Sequence, residues 1–186
     1  TPFPEKRTAF YYNQKIVGMR ASGRAEYAGK VYEFKEEDSF ALLDWGRGVW
    51  TYDNTWYWSA AMGLNGGEVF GFNLGYGFGD TSAATENMLF YRGKAHKLEE
   101  VRFRIPGEEE GKTDYLKPWT FTSSDGRLEL SFTPILDRKA YTSAGVILSD
   151  QHQVFGYFDG TAILDDGTRL SVEHMLGFAE KVRNKW

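Results

Sequence analysis

Between Glu68 and Gly79 large and very small residues alternate without a break. Phe70, Phe72, Leu74, Tyr76 and Phe78 share one face of an extended chain, and Gly71, Asn73, Gly75 and Gly77 share the other. A helix would scatter the five large side chains around its axis, whereas a strand gathers them on one side. The segment is therefore read as a strand, and its nearly bare face lets a second backbone, a ring or a ligand come close. The same count over Thr55 to Met62 puts Trp56, Trp58, Ala60 and Met62 together, with Thr55, Tyr57, Ser59 and Ala61 opposite. Two successive strands thus offer a tryptophan wall and a glycine floor.

Four X-Gly pairs, Arg92-Gly93, Asp125-Gly126, Asp159-Gly160 and Asp166-Gly167, stand between strand-like runs and supply the positive φ angles of tight hairpins. They predict that Trp119 to Ser123 turns back into Arg127 to Thr133, and that Val154 to Phe158 turns back into Thr161 to Leu164. Arg169 to Leu176 then follows as a further strand. Aromatic residues make up 17% of the chain, and 21 glycines stand beside only 5 prolines, a balance that also favours strands and turns. No segment keeps a helical period, although Gly177 to Trp186 and Thr81 to Asn87 read as short helices. The expectation is an all-β antiparallel meander forming a barrel with a short C-terminal helix, residues 1–186 making one domain.

Several functions are disfavoured on composition. A net charge of -4 with mixed signs offers no basic field for nucleic acid or anionic membrane surfaces. The chain has no cysteine, so thiol nucleophiles, disulfides and thiolate metal sites are absent, while the compartment stays open. No apolar run reaches the length of about 18 residues that a membrane span requires. Nucleophile elbows, phosphate loops and zinc-binding motifs are missing, and His96, His152 and His174 lack metal-ligand spacing. His174 reads instead as a hydrogen-bonded core residue on the face of Leu170, Val172 and Leu176. Neither a metal nor a cofactor is expected.

The segment Asp44 to Trp58 holds four of the six tryptophans, Trp45, Trp50, Trp56 and Trp58, with Asp44 and Arg47 set among them. Each indole carries an N–H that needs a partner, so the run describes a wall that is apolar in bulk and polar at chosen points. That suits a ligand cavity; the competing reading is ordinary core. Asp44 either pairs with a cation such as Arg47, pinning a turn over Trp45, or keeps a raised pKa and serves as a general acid. Glu86 and Asn87 read as an end cap or as polar members of the cavity, and Asn73 joins them as a polar group in apolar surroundings.

These blocks also carry a resemblance. Asp44 to Trp58, Phe70 to Asp80, Glu86-Asn87, Pro118-Trp119, Ser124 to Leu128, Gln151 to Gly156 and the ending Gly177 to Val182 with Trp186 resemble a family of uncharacterised microbial proteins known as a domain of unknown function. The resemblance implies a calycin, lipocalin-like β-barrel, with hydroxyneurosporene synthase and tocopherol cyclase as remote relatives. It further implies that this chain, which begins at Thr1, is the C-terminal lobe of a longer two-lobed protein. Gly48-Val49-Trp50 has the Gly-x-Trp spacing of lipocalins but lies far from the N-terminus, so no lipocalin binding residue is carried over.

Three functions follow. One is binding of a hydrophobic or amphipathic small molecule, lipid or isoprenoid-like, in the aromatic-lined mouth or interior of the barrel by Trp45, Arg47, Trp50, Trp56, Trp58, Phe72, Asn73, Tyr76 and Asn87. The second is acid-catalysed hydration or cyclisation of an isoprenoid-like alkene, with Asp44 or Glu86 as the proton donor and tryptophan faces steadying the cation. The third is structural, an aromatic patch packed against an N-terminal lobe. The most useful single observation is whether an enclosed cavity touches Asp44 and Trp58 together.

Overall fold

The computed structural model describes residues 1–186. The chain folds into thirteen strands and no helix, so no helix crosses a membrane. In order they are β1 (Phe10–Arg20), β2 (Gly23–Tyr27), β3 (Lys30–Phe34), β4 (Phe40–Val49), β5 (Asp53–Asn65), β6 (Glu68–Tyr76) and β7 (Met88–Tyr91). Then come β8 (Lys94–Lys97), β9 (Val101–Arg104), β10 (Trp119–Ser123), β11 (Leu128–Ala144), β12 (Ile147–Ile163) and β13 (Arg169–Lys185). Nine of them make one antiparallel sheet in the order β8-β7-β6-β5-β13-β12-β11-β10-β9.

That sheet curls because its inner face is a continuous apolar surface that must leave water. Phe70, Phe72, Trp119, Phe121, Phe132 and Phe158 are all fully buried there. The curl brings β9 back to β6: the rings of Phe103 and Tyr76 lie 5.2 Å apart, and the Tyr76 hydroxyl accepts the Phe103 N–H at 3.3 Å. No ladder joins the edge strands β8 and β9. Arg127 reaches across the end of the curl instead, donating to the Lys97 carbonyl at 2.7 Å, the Ile163 carbonyl at 2.9 Å and Asp165 at 2.7 Å. The interior is filled by side chains.

β1 and β4 pair only with each other and lie as a ribbon across the outer face of β5 and β6. The glycine floor admits this ribbon. A Cβ on Gly71 would stand 3.0 Å from Val17 Cγ1 and 2.8 Å from the Ala61 carbonyl oxygen. The small hairpin of β2 and β3 projects from the ribbon with every residue exposed.

Five expectations are corrected. Residues 177–185 continue β13 between β5 and β12 rather than forming a helix. Both of its faces are covered, Ala179 against the core and Val182 and Asn184 on the outer side, which blurs the alternation that marks a half-exposed strand. Thr81 to Asn87 forms no helix either. The turn expected over Trp45 is instead part of strand β4. Asp159-Gly160 is a bulge inside β12, not a hairpin turn: the register shifts there, and Asp159 accepts the backbone N–H of His174 at 2.7 Å. That bulge and the positive φ of His174 (48°) reverse parity along β13. Met175 therefore takes the core position, and His174 is exposed, stacked on Tyr157 with ring centroids 3.7 Å apart. The hairpins at Arg92-Gly93, Asp125-Gly126 and Asp166-Gly167 stand where their sequences place them.

Candidate functional site

A cavity of about 430 Å³ lies between the ribbon and the outer face of the sheet. Strand parity builds its floor. Tyr57 and Ser59 of β5 pair with Tyr76 and Leu74 of β6 and share the core face, so Trp56 and Trp58 point outwards over Gly75. The Trp58 indole N–H donates to Asn73 Oδ1 at 2.8 Å, and the Asn73 amide donates to the Glu86 carbonyl at 3.1 Å. Asn87 accepts the Gly75 N–H at 2.7 Å and donates to the Glu99 carbonyl at 2.9 Å. These two asparagines hold the loop before β7 against the floor. Phe78 belongs to the floor too, because Gly77, with φ of 94°, ends the alternation of β6 and turns the next ring to the cavity side.

The ribbon supplies the roof. Tyr11, Asn13 and Lys15 of β1 face the cavity, as do Asp44 on β4 and Trp50 just beyond it. Gly46 and Gly48 alternate with Asp44 on this inner side. A Cβ on Gly46 would stand 2.5 Å from the Tyr11 ring, so the glycine leaves room for that ring to lie across the ribbon. Phe78 sits at the centre of the resulting cluster, its ring 5.0 Å from Tyr11, 5.4 Å from Trp56 and 5.9 Å from Trp50, all edge-on.

Four ionisable side chains organise the polar half. Lys15 Nζ lies 2.6 Å from Asp44 Oδ1 and 4.0 Å from Glu86 Oε2, and 4.1 Å from the centroid of the Trp58 ring. Asn13 donates to Glu86 at 2.8 Å. Gly75 is required beneath that carboxylate, since a Cβ there would stand 2.4 Å from Glu86 Oε1. Glu180, on β13, accepts from the Trp56 indole at 3.0 Å and from Gln153 at 3.1 Å, and forms no ion pair. Burial raises its pKa above the ordinary carboxylate value, outweighing those two donated bonds and the more distant Lys15. Burial and the charges of Asp44 and Glu86 push the Tyr11 hydroxyl up to about 12, so it stays protonated near neutrality.

Of the residues singled out in the sequence, Asp44, Glu86, Trp50, Trp56 and Trp58 line this one cavity, and Tyr76 borders it with its ring turned to the core against Phe103. Asp44 and Trp58 do meet there, in a cavity that is partly open to solvent rather than enclosed. Trp45 and Arg47 face away on the outer side of the ribbon, Arg47 over the Tyr12 ring at 5.7 Å. Asp44 therefore pairs with Lys15 rather than Arg47, because residues three apart on a strand lie on opposite faces. Phe72 is in the filled core, and Asn73 and Asn87 stand behind the wall. The sequence reading missed Tyr11, Asn13, Lys15, Phe78 and Glu180. The polar-facing alternation Tyr11, Asn13, Lys15 signals the first three, and Gly77 signals Phe78.

The sequence profile of a family described as "Domain of unknown function (DUF2804)" matches residues 1–186, the whole chain. No curated protein matches it. Among solved structures the fold is similar to kievitone hydratase from Nectria haematococca, with a TM-score of 0.51 and 12% sequence identity. The similarity covers 97% of this chain and 56% of that protein, so the chain spans little more than half the length of its structural neighbour.

Proposed function

The chain belongs to the DUF2804 family, a domain of unknown function, and from its site we propose that it binds an amphipathic small molecule between ribbon and sheet. One observation carries this: a cavity of about 430 Å³ in which Trp50, Trp56, Trp58 and Phe78 meet a fixed set of polar groups. Drug-sized ligands occupy cavities of about 300–1,000 Å³ with this mixture of apolar wall and few oriented polar groups. The calycin-like barrel interior has no part in it, being filled by Phe72, Phe121, Phe132 and Phe158. Native mass spectrometry of protein purified from cells, or offered a lipid extract, is expected to show a retained apolar ligand. Trp56→Leu should lose it with the fold intact; a wild-type protein that retains nothing from either source overturns the reading.

A second reading is favoured by Glu180, a buried carboxyl facing the cavity whose pKa burial raises above the ordinary carboxylate value. Such a group can protonate an alkene; water then adds to the cation, and the extra proton of the resulting oxonium returns to the Glu180 carboxylate, which completes a hydration and restores the acid. The fold neighbour is itself named a hydratase. The acid role expected of Asp44 or Glu86 passes to Glu180 here, because Asp44 is tied to Lys15. Turnover of an isoprenoid alkene that disappears in Glu180→Gln and survives in Asp44→Asn supports it. Equal loss in both variants, with ligand binding kept, counts against Glu180 as the acid.

The outward row Phe10, Tyr12, Leu43, Trp45 and Val49 on the ribbon is exposed and gives the lobe reading its support. A further lobe or second copy packed there would bury it. Tight association of the chain that is lost in Trp45→Lys is the expected result, and a clean monomer indifferent to that change sinks the idea.

A further inference from the structure

The charge balance of the cavity specifies the head group of its ligand. Three carboxyl side chains, Asp44, Glu86 and Glu180, face one lysine, Lys15. Lys15 is already committed: Asp44 holds it at 2.6 Å, Glu86 stands at 4.0 Å and the Trp58 ring lies beneath it at 4.1 Å. Glu180 receives only neutral donors, the Trp56 indole and Gln153. Glu180 is therefore the carboxyl with no cation beside it, next to an aromatic wall and only 8% exposed.

An anionic ligand entering this space meets three carboxyls. A neutral one leaves the imbalance in place. A ligand with a fixed positive charge is drawn both by Glu180 and by the ring faces, whose quadrupoles attract cations most strongly where water is excluded.

Resting on the binding reading above, we propose that the cavity selects organic cations: amphiphiles with a quaternary or protonated tertiary amine head between Trp56 and Glu180. Their apolar body runs along Tyr11, Trp50 and Phe78.

The test is titration calorimetry of the full chain with three eight-carbon probes, octyltrimethylammonium, octanol and octanoate, all below micelle formation. Octyltrimethylammonium should bind about tenfold or more tighter than octanol, with octanoate the weakest. Glu180→Gln, and independently Asp44→Asn, should shrink the ammonium-to-octanol ratio. The thermal melt of each variant reports whether it is folded. Octanol binding as tightly as the ammonium overturns the cation preference and leaves the binding reading standing. An ammonium preference that persists in the Glu180→Gln, Asp44→Asn double variant places the effect on the acidic surface and also overturns it. Failure of all three probes overturns both readings together.

Discussion

At the scale of single residues the site turns on Lys15 and Glu180, neither of which the tryptophan run announces. Lys15 keeps Asp44 and Glu86 from facing each other unshielded. Removing one partner of a buried ion pair is worth about 3–5 kcal/mol, and the 35% exposure of the Asp44 side chain lowers the expectation for Lys15→Met to about 2 kcal/mol. The urea midpoint measures it, and Lys15→Met with Asp44→Asn should recover part of the loss; no change in the single variant would show the pair to be solvated. Glu180 makes a signed prediction on pH. Its folded pKa is raised above the ordinary 4.5, so the folded chain binds its proton more tightly than the unfolded chain. The stability this lends is full below 4.5 and is lost as pH rises through the folded value. Asp53 and Asp125, whose pKa values are lowered, work in the opposite sense, so the comparison must be made against Glu180→Gln. Wild type minus variant should fall from pH 4 towards neutrality and then level; a difference that rises over that range would refute burial as the dominant cause. Glu180 was hidden in the sequence because the ending looked like a helix, in which its outward parity has no meaning.

Strand and ribbon explain which parts of the sequence were readable. The alternation of β6 and of the centre of β5 was legible because one face packs a core and the other is nearly bare, the condition under which period two shows itself. β13 was not, since core covers one side and Trp58, Phe155 and Gln153 crowd the other. The turn signals divide for a similar reason. Asp-Gly at 125–126 and 166–167 closes hairpins, whereas at 159–160 the same pair builds a bulge, because β11 runs past it and pairs with β12 on both sides. Gly-x-Gly at Gly46 and Gly48 is a clearance device inside β4. The two glycines differ in what they clear. A Cβ on Gly48 would stand 2.1 Å from the Phe10 carbonyl oxygen, a backbone atom, while on Gly46 it meets the Tyr11 side chain. Gly48→Ala should therefore destabilise by about 2 kcal/mol or more, within the range for forced backbone shifts. Gly46→Ala should cost less in stability but displace Tyr11 and weaken ligand retention. Denaturation of both variants beside native mass spectrometry separates the two effects, and the reverse ranking in stability would mean that the ribbon backbone yields more easily than the Tyr11 ring.

For the whole molecule the decisive fact is that the sheet and the ribbon are stabilised differently. β12 and β13 each have hydrogen-bonded neighbours on both sides, and their inner faces join the aromatic core. β1 and β4 have only each other, and they are fastened to the sheet by side chains: Val17 on the Gly71 floor, Tyr11 on Phe78, Lys15 over Trp58 and Asn13 on Glu86. Local opening draws on the elements with the fewest buried contacts, so the ribbon should detach while the curled sheet remains folded. The roof of the cavity is thus also its door, and access needs no unfolding of the core. Hydrogen exchange should find amides of β1 and β4 exchanging well before those of β12 and β13. Saturation with octyltrimethylammonium should slow the ribbon amides selectively, because the probe joins roof to floor and leaves the core as it was. Equal protection of ribbon and sheet in the free protein would mean that the ribbon is a fixed part of the fold, and entry to the cavity would then have to come through its rim at Thr81, Thr85 and Trp186.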